Sequence, residues 1–322
     1  MLSVPRLCLC SLLLTIMLPP ASAQAENSKF EDKYAKVNGV RLHYITTGNG
    51  PLILFLHGFP EFWYEWKNQL TEFGKDHQAV APDMRGYNLS DKPEALDQYQ
   101  MTVLVEDVRA LADNLSPGRK FVLVAHDWGG AVAWSFAIAH PDLLEKLVII
   151  NAPHPGVFAK LLASDPAQQK ASQYMLMFRS EQAEKTLSDN DDAMLVNIVL
   201  AGGLKSGAFT EEDKAAYLKA WSQPGALTGG LNYYRSNRVG PPAPGAAPST
   251  GNFAIDDRLA VKVPTLVIWG EKDTALLTQN LDGLDQFVPQ LTIRRIPDAS
   301  HWVVHEKSAE VNRYIRDFIG DR

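Results

Sequence analysis

Residues Phe121–Gly130 read FVLVAHDWGG. The apolar run Phe121–Ala125 has the length and character of a buried strand, and a helical pattern runs from Ala131 to Ala139, so the chain turns from strand to helix at Asp127. A side chain at the apex of such a turn stands exposed on strained backbone, and only small neighbours allow the strand and helix to pack that closely. Ala125, Gly129 and Gly130 supply them. A plainer role for Asp127 is to cap the helix that begins near Trp128.

A carboxylate at such an apex suits one kind of chemistry. Attack by a hydroxyl on a saturated carbon would give an ether, which base and water do not readily cleave. Attack by a carboxylate gives an ester, whose carbonyl water can then attack. Asp127 as nucleophile therefore points to epoxides or alkyl halides rather than acyl substrates.

The rest of the chain supplies a frame for that turn. Val40–Thr46 alternates like an edge strand, Leu52–Leu56 and Ala79–Pro82 read as short buried strands, and Met101–Leu115 carries apolar residues at helical spacing. Lys146–Asn151 gives another strand. This alternation predicts a mostly parallel, doubly wound α/β sheet. From Pro155 to Ser249 the pattern becomes helical and polar, without buried-strand runs, and Gly240–Gly251 (GPPAPGAAPSTG) fits only a loop. Residues 155–249 are therefore expected to form a helical cap inserted into a core made of 24–154 and 250–322. Strand patterns resume at Pro264–Trp269 and Leu291–Ile296, and Glu306–Ile319 predicts a closing amphipathic helix.

The N-terminus reads as a signal peptide: Arg6, an apolar stretch from Leu7 to Leu18, Pro19-Pro20, then Ala21-Ser22-Ala23, with cleavage expected after Ala23. That stretch is short for a membrane span. The expected destination is the periplasm or the medium. Both cysteines, Cys8 and Cys10, lie in this segment, so the mature chain would carry no disulfide. A formal net charge of −6 with no basic run argues against nucleic acid or an anionic membrane as partner.

An ester on Asp127 requires a base to activate water, and histidine suits neutral pH. His301, in PDASHWVV, lies in a loop between the last strand pattern and the final helix, where strand ends of a parallel sheet gather ligands. His305 follows four residues later, but the HExxH spacing of a zinc site lacks its glutamate, so no metal is expected and His305 reads as helix surface. Asp273 ends IWGEKD, directly after a strand, and is expected to fix the tautomer of His301. The developing oxyanion needs two donors. The N–H of Trp128 follows the nucleophile, and the N–H of Phe59 lies in the turn His57-Gly58-Phe59-Pro60, whose proline has no N–H to give.

Five motifs in this order resemble the soluble epoxide hydrolases of the α/β-hydrolase superfamily: HGFPEFWYEW (57–66), PDMRGYNLSDKP (82–93), HDWGG (126–130), LNYYR (231–235), and GEKD with SHW (270–273, 300–302). The resemblance runs from about Tyr34 to the C-terminus. It implies an aspartate nucleophile (Asp127), a histidine–aspartate pair (His301, Asp273), no cofactor, and two cap tyrosines that hold the epoxide oxygen. By motif these are Tyr234, the second tyrosine of LNYYR, and Tyr174 in SQYMLMF, with Tyr233 left to packing. Asn88 departs from the family's usual glycine but tolerates a left-handed conformation. A haloalkane dehalogenase shares fold and nucleophile, with Trp128 beside its leaving halide and Trp221 as a candidate second donor. A non-catalytic binding protein on the same scaffold is a third reading. Sequence leaves oligomeric state and substrate size open.

Overall fold

The computed structural model describes residues 1, 30–242 and 257–320. The signal-peptide stretch and the 249/250 cap boundary lie outside the described residues. Among those described, no helix is long and apolar enough to cross a membrane.

Eight strands form one sheet: β1 (Glu31–Val37), β2 (Val40–Thr47), β3 (Leu52–Leu56), β4 (Gln78–Pro82), β5 (Phe121–His126), β6 (Leu144–Ile150), β7 (Thr265–Gly270) and β8 (Leu291–Ile296), ordered β1-β2-β4-β3-β5-β6-β7-β8. The β1–β2 and β2–β4 pairings are antiparallel and all others parallel. The expected edge strand at residue 40 is thus an interior one: β1, whose pattern is mostly exposed and polar, covers its outer side.

Helices α1 (Lys67–Phe73), α2 (Met101–Leu115) and α3 (Asp127–Ala139) alternate with the strands. Seven more, α4 (Pro155–Ser164), α5 (Pro166–Ala171), α6 (Tyr174–Phe178), α7 (Ala183–Leu195), α8 (Ala201–Ser206), α9 (Glu211–Trp221) and α10 (Ala226–Asn237), lie between β6 and β7. Two short ones, α11 (Val303–Glu306) and α12 (Ser308–Ile319), close the chain. The closing helix expected at 306–319 is α12, which begins at Ser308 because Lys307 before it has non-helical backbone, and the four-residue α11 precedes it. One face of the sheet buries Leu70 and Phe73 of α1 with Val311 and Ile315 of α12, and the other buries α2 and α3. Burying these apolar side chains contributes about 1.5–3 kcal/mol each.

Register positions the site. Leu56 pairs with Ala125, His126 with Ile150, and Ile150 with Ile268, so β3, β5, β6 and β7 all end at one level. The residues just beyond those ends, from four distant parts of the chain, converge on one edge.

Candidate active site

Asp127 is the first residue of α3 and has φ +48°, the left-handed region that costs most residues strain. Its neighbours explain how the turn is tolerated. A Cβ on Gly129 would run into the carbonyl oxygens of Leu56 and His57, and one on Gly130 into the methyl of Ala152. Gly58 lies so close to Asp127 that a Cβ there would occupy the space of the carboxyl group. Asp127 does not cap α3: its Oδ1 accepts instead from the backbone N–H of Phe59 at 2.8 Å. Trp128 N–H stands in the first turn of α3, where backbone donors have no intrahelical acceptor.

The other carboxylate oxygen, Oδ2, faces His301 Nε2 at 3.7 Å. His301 Nδ1 bonds Asp273 Oδ2 at 2.7 Å, which leaves Nε2 toward Asp127. Asp273 is itself saturated with donors: Ala275 N at 2.8 Å, Leu276 N at 2.9 Å and Asn151 Nδ2 at 2.8 Å. Burial alone would lower the pKa of His301, but the charge and hydrogen bond of Asp273, then the charge of Asp127, outweigh it and carry it up to about 9. Burial raises Asp273 in turn, and the charge and hydrogen bond of His301 overcome this and hold it below its usual value.

Tyr174 opens α6 and Tyr234 lies in α10, with ring centroids 6.5 Å apart. Tyr234 packs edge-on against Trp128 (5.0 Å), Phe178 (5.1 Å) and Phe59 (5.6 Å). Burial above all, with the nearby charge of Asp127 adding to it, pushes both phenols well above 10. They stay protonated at neutral pH. Two cavities, about 560 Å³ and 370 Å³, share Asp127, Tyr174 and Tyr234 as lining. The larger adds Trp128, Phe158, Leu162 and Met175, and the smaller adds Phe59, Phe178, Asp273 and His301. The nucleophile and the two phenols thus form a waist between two mostly apolar chambers.

All seven residues singled out from sequence meet at this edge. Tyr233 packs as expected, fully buried, its hydroxyl donating to Arg85 O at 2.9 Å. Asn88 has φ +36° and donates to Asp83 Oδ2. The Trp221 indole N–H donates to Pro60 O at 2.7 Å and is not free to hold a halide. His305 is a correction: it is buried rather than on the helix surface, and its Nε2 lies 3.0 Å from Glu61 Oε1. A four-residue helix has no periodicity from which to read that burial. Sequence reading also missed Asn151, which takes the N–H of Gly270 (2.7 Å) while donating to Asp273. Its signal was available: an asparagine directly after a buried strand, a position where φ is often positive and here is +36°.

Among the described residues, one group with metal-ligating side chains converges, Glu61, Glu65 and His305. Two of the three are already engaged: Glu61 Oε1 meets His305, and Oε2 accepts from Tyr217.

A family model for the alpha/beta hydrolase fold matches residues 51–308. The chain is 39% identical over 292 residues to an AB hydrolase superfamily protein of Bacillus subtilis, covering 89% of this chain and 97% of that one. It is 37% identical over 298 residues to epoxide hydrolase 1 of Caenorhabditis elegans, covering 90% and 70% respectively. Among solved structures, an epoxide hydrolase from Bacillus megaterium in complex with an inhibitor superposes with a TM-score of 0.81 at 36% identity, covering 90% of this chain and 100% of that one.

Proposed function

This chain belongs to the epoxide hydrolases of the α/β-hydrolase fold, and from that premise we propose that Asp127 opens the epoxide ring and that His301 with Asp273 hydrolyses the resulting ester. The observation that carries this assignment is the division of labour between the two oxygens of Asp127. Oδ1 is held by Phe59 N–H, while Oδ2 faces the cavity and His301.

In the first step Oδ2 attacks one epoxide carbon and the ring C–O bond breaks. The departing oxygen takes a proton from Tyr174 or Tyr234, and the other phenol donates a hydrogen bond to it. The enzyme now carries a hydroxyalkyl ester and a phenolate that regains its proton from solvent. In the second step His301 Nε2 takes a proton from water as the water oxygen bonds Asp127 Cγ. The negative charge moves to Oδ1, against Phe59 N–H and Trp128 N–H. Collapse expels the diol, whose oxygen takes the proton from His301, and the carboxyl group left on Asp127, which carries the second hydrogen of the water, passes it to His301 and returns as a carboxylate.

The charge of Asp127 favours this order. While Asp127 is ionised it helps keep His301 up at about 9, protonated and unable to act as base. Esterification removes that charge and lowers the pKa of His301, so its proton leaves for solvent more readily when an ester is there to hydrolyse.

Single Phe replacements of Tyr174 or Tyr234 are expected to slow ring opening, and the double replacement to abolish it, with ester hydrolysis untouched. General acid catalysis typically contributes ~10² to 10⁴-fold. Single-turnover kinetics with epoxide and alkyl chloride substrates tests this. Unchanged epoxide opening in Tyr234→Phe, with chloride release lost in Trp128→Phe, would favour the dehalogenase reading.

Residues 155–249 act in this reading as a substrate-covering cap, supported by the placement of both tyrosines on α6 and α10. The chain is further proposed to be exported, supported by the apolar stretch and Ala21-Ser22-Ala23. N-terminal sequencing of the protein recovered from periplasm or medium should begin at Gln24, and a start at Met1 would refute export with cleavage.

A further inference from the structure

Directly behind the proposed base lies a buried cluster that the reaction as written does not use. Glu65 and His126 each have no side-chain exposure. Glu65 Oε1 lies 2.6 Å from His126 Nδ1, a short contact not aligned as a hydrogen bond, and neither the Glu65 oxygens nor that nitrogen has a hydrogen-bond partner elsewhere. On its far side, His126 Nε2 lies 3.0 Å from the backbone carbonyl oxygen of His301, and the two rings are 4.7 Å apart.

The proton on His126 can be located from these partners alone. A carbonyl oxygen only accepts, so Nε2 must carry hydrogen. If His126 is neutral, Nδ1 is then a bare lone pair, and a carboxylate oxygen 2.6 Å away would be repelled by it. The contact is favourable only if Glu65 supplies the hydrogen, or if His126 is a buried imidazolium facing a buried carboxylate.

The surroundings decide between these. Glu61 and Asp127 stand near Glu65, and His301, His305 and His57 near His126, with Tyr217 and Lys67 further charged or titratable groups beside the cluster. An ionic pair, Glu61 with His305, already stands beside it, each partner's charge favouring the other's. Burial first, then the charges of Glu61 and Asp127, push Glu65 well above its ordinary value. Burial first, then the charge of His301, lower His126 to about 4. A second buried ion pair would need both shifts reversed.

We propose that Glu65 is a positioning residue held as a neutral carboxylic acid, whose O–H donates to His126 Nδ1 and thereby fixes the tautomer that anchors the His301 backbone through Nε2–H. The inference rests on the reading of His301 as the water-activating base, but the protonation it assigns to Glu65 stands apart from any activity. A neutral Glu65 has a second effect. Ionised, it would add another negative charge near His301 and hold that ring protonated after the ester has formed, when it must be free to take a proton from water.

Two measurements test the proposal. Infrared difference spectra between the wild-type enzyme and Glu65→Gln at neutral pH should contain the C=O band of an un-ionised carboxyl. A spectrum with only carboxylate bands would overturn the proposal, whatever the enzyme's substrate. In single-turnover kinetics Glu65→Leu, which gives no hydrogen, should slow ester hydrolysis roughly 10- to 100-fold with ring opening unaffected. Glu65→Gln, whose amide N–H donates to Nδ1, should restore most of that rate and keep the wild-type pH profile. Equal hydrolysis rates in wild type and Glu65→Leu, or a Glu65→Gln enzyme as slow as Glu65→Leu, would overturn it. If Glu65→Leu does not fold, the infrared band and the Glu65→Gln rate still decide.

Discussion

Replacing His301 with glutamine is expected to turn the enzyme into a trap for its own substrate. The amide side chain would leave Oδ2 of Asp127 free to attack, and the two phenols remain in place, so ring opening proceeds once. The ester then persists because the glutamine amide, unlike the imidazole, has no basic nitrogen to take a proton from water. Intact-mass spectrometry after incubation with an epoxide should show one substrate equivalent on the protein, and the diol should form at least about 10³-fold more slowly in steady state. Steady turnover with no adduct would mean that a different base activates the water.

The second large effect concerns the nucleophile. Asp127→Ala is expected to lower diol formation by on the order of 10⁴-fold or more, since the residues that act on the ester contribute nothing when no ester forms. Stability should hardly change. The side chain sits in the cavity wall, at φ +48°, with one hydrogen bond from Phe59. For a chain of this length a change of about 1 kcal/mol moves the melting temperature by roughly 1–2 °C, and a shift no larger than that is expected by scanning calorimetry. Substantial diol formation by the folded variant would remove Asp127 from its proposed role.

Much of this was legible in the sequence because the catalytic positions follow strands. Buried parallel strands such as LILFL and FVLVAH read as apolar runs, and the residues just beyond their ends can only project at one edge of the sheet. Asp127, Asp273 and His301 were found that way. The cap tyrosines were not: helical burial patterns do not distinguish Tyr234, which lines the cavity, from Tyr233, which packs beneath it, and only motif resemblance separated them. What escaped altogether depended on partners distant in the chain. β1 shows no apolar run because its outer face is exposed, and it is recognisable only by its pairing with β2. His305 is buried by Glu61, 244 positions earlier, and nothing local to His305 announces that contact.

The placement of the proton donors also bears on how such an enzyme can diverge. Every group proposed for the water step, Asp127, His301, Asp273 and the N–H groups of Phe59 and Trp128, belongs to the sheet edge, whereas both phenols come from the inserted helices. The two half-reactions therefore answer to separate stretches of sequence. Drift within α4–α10 can reshape which epoxides are opened, and at which carbon, without retuning the hydrolytic machinery, so new selectivities are accessible through a region where change leaves half of the catalytic cycle intact.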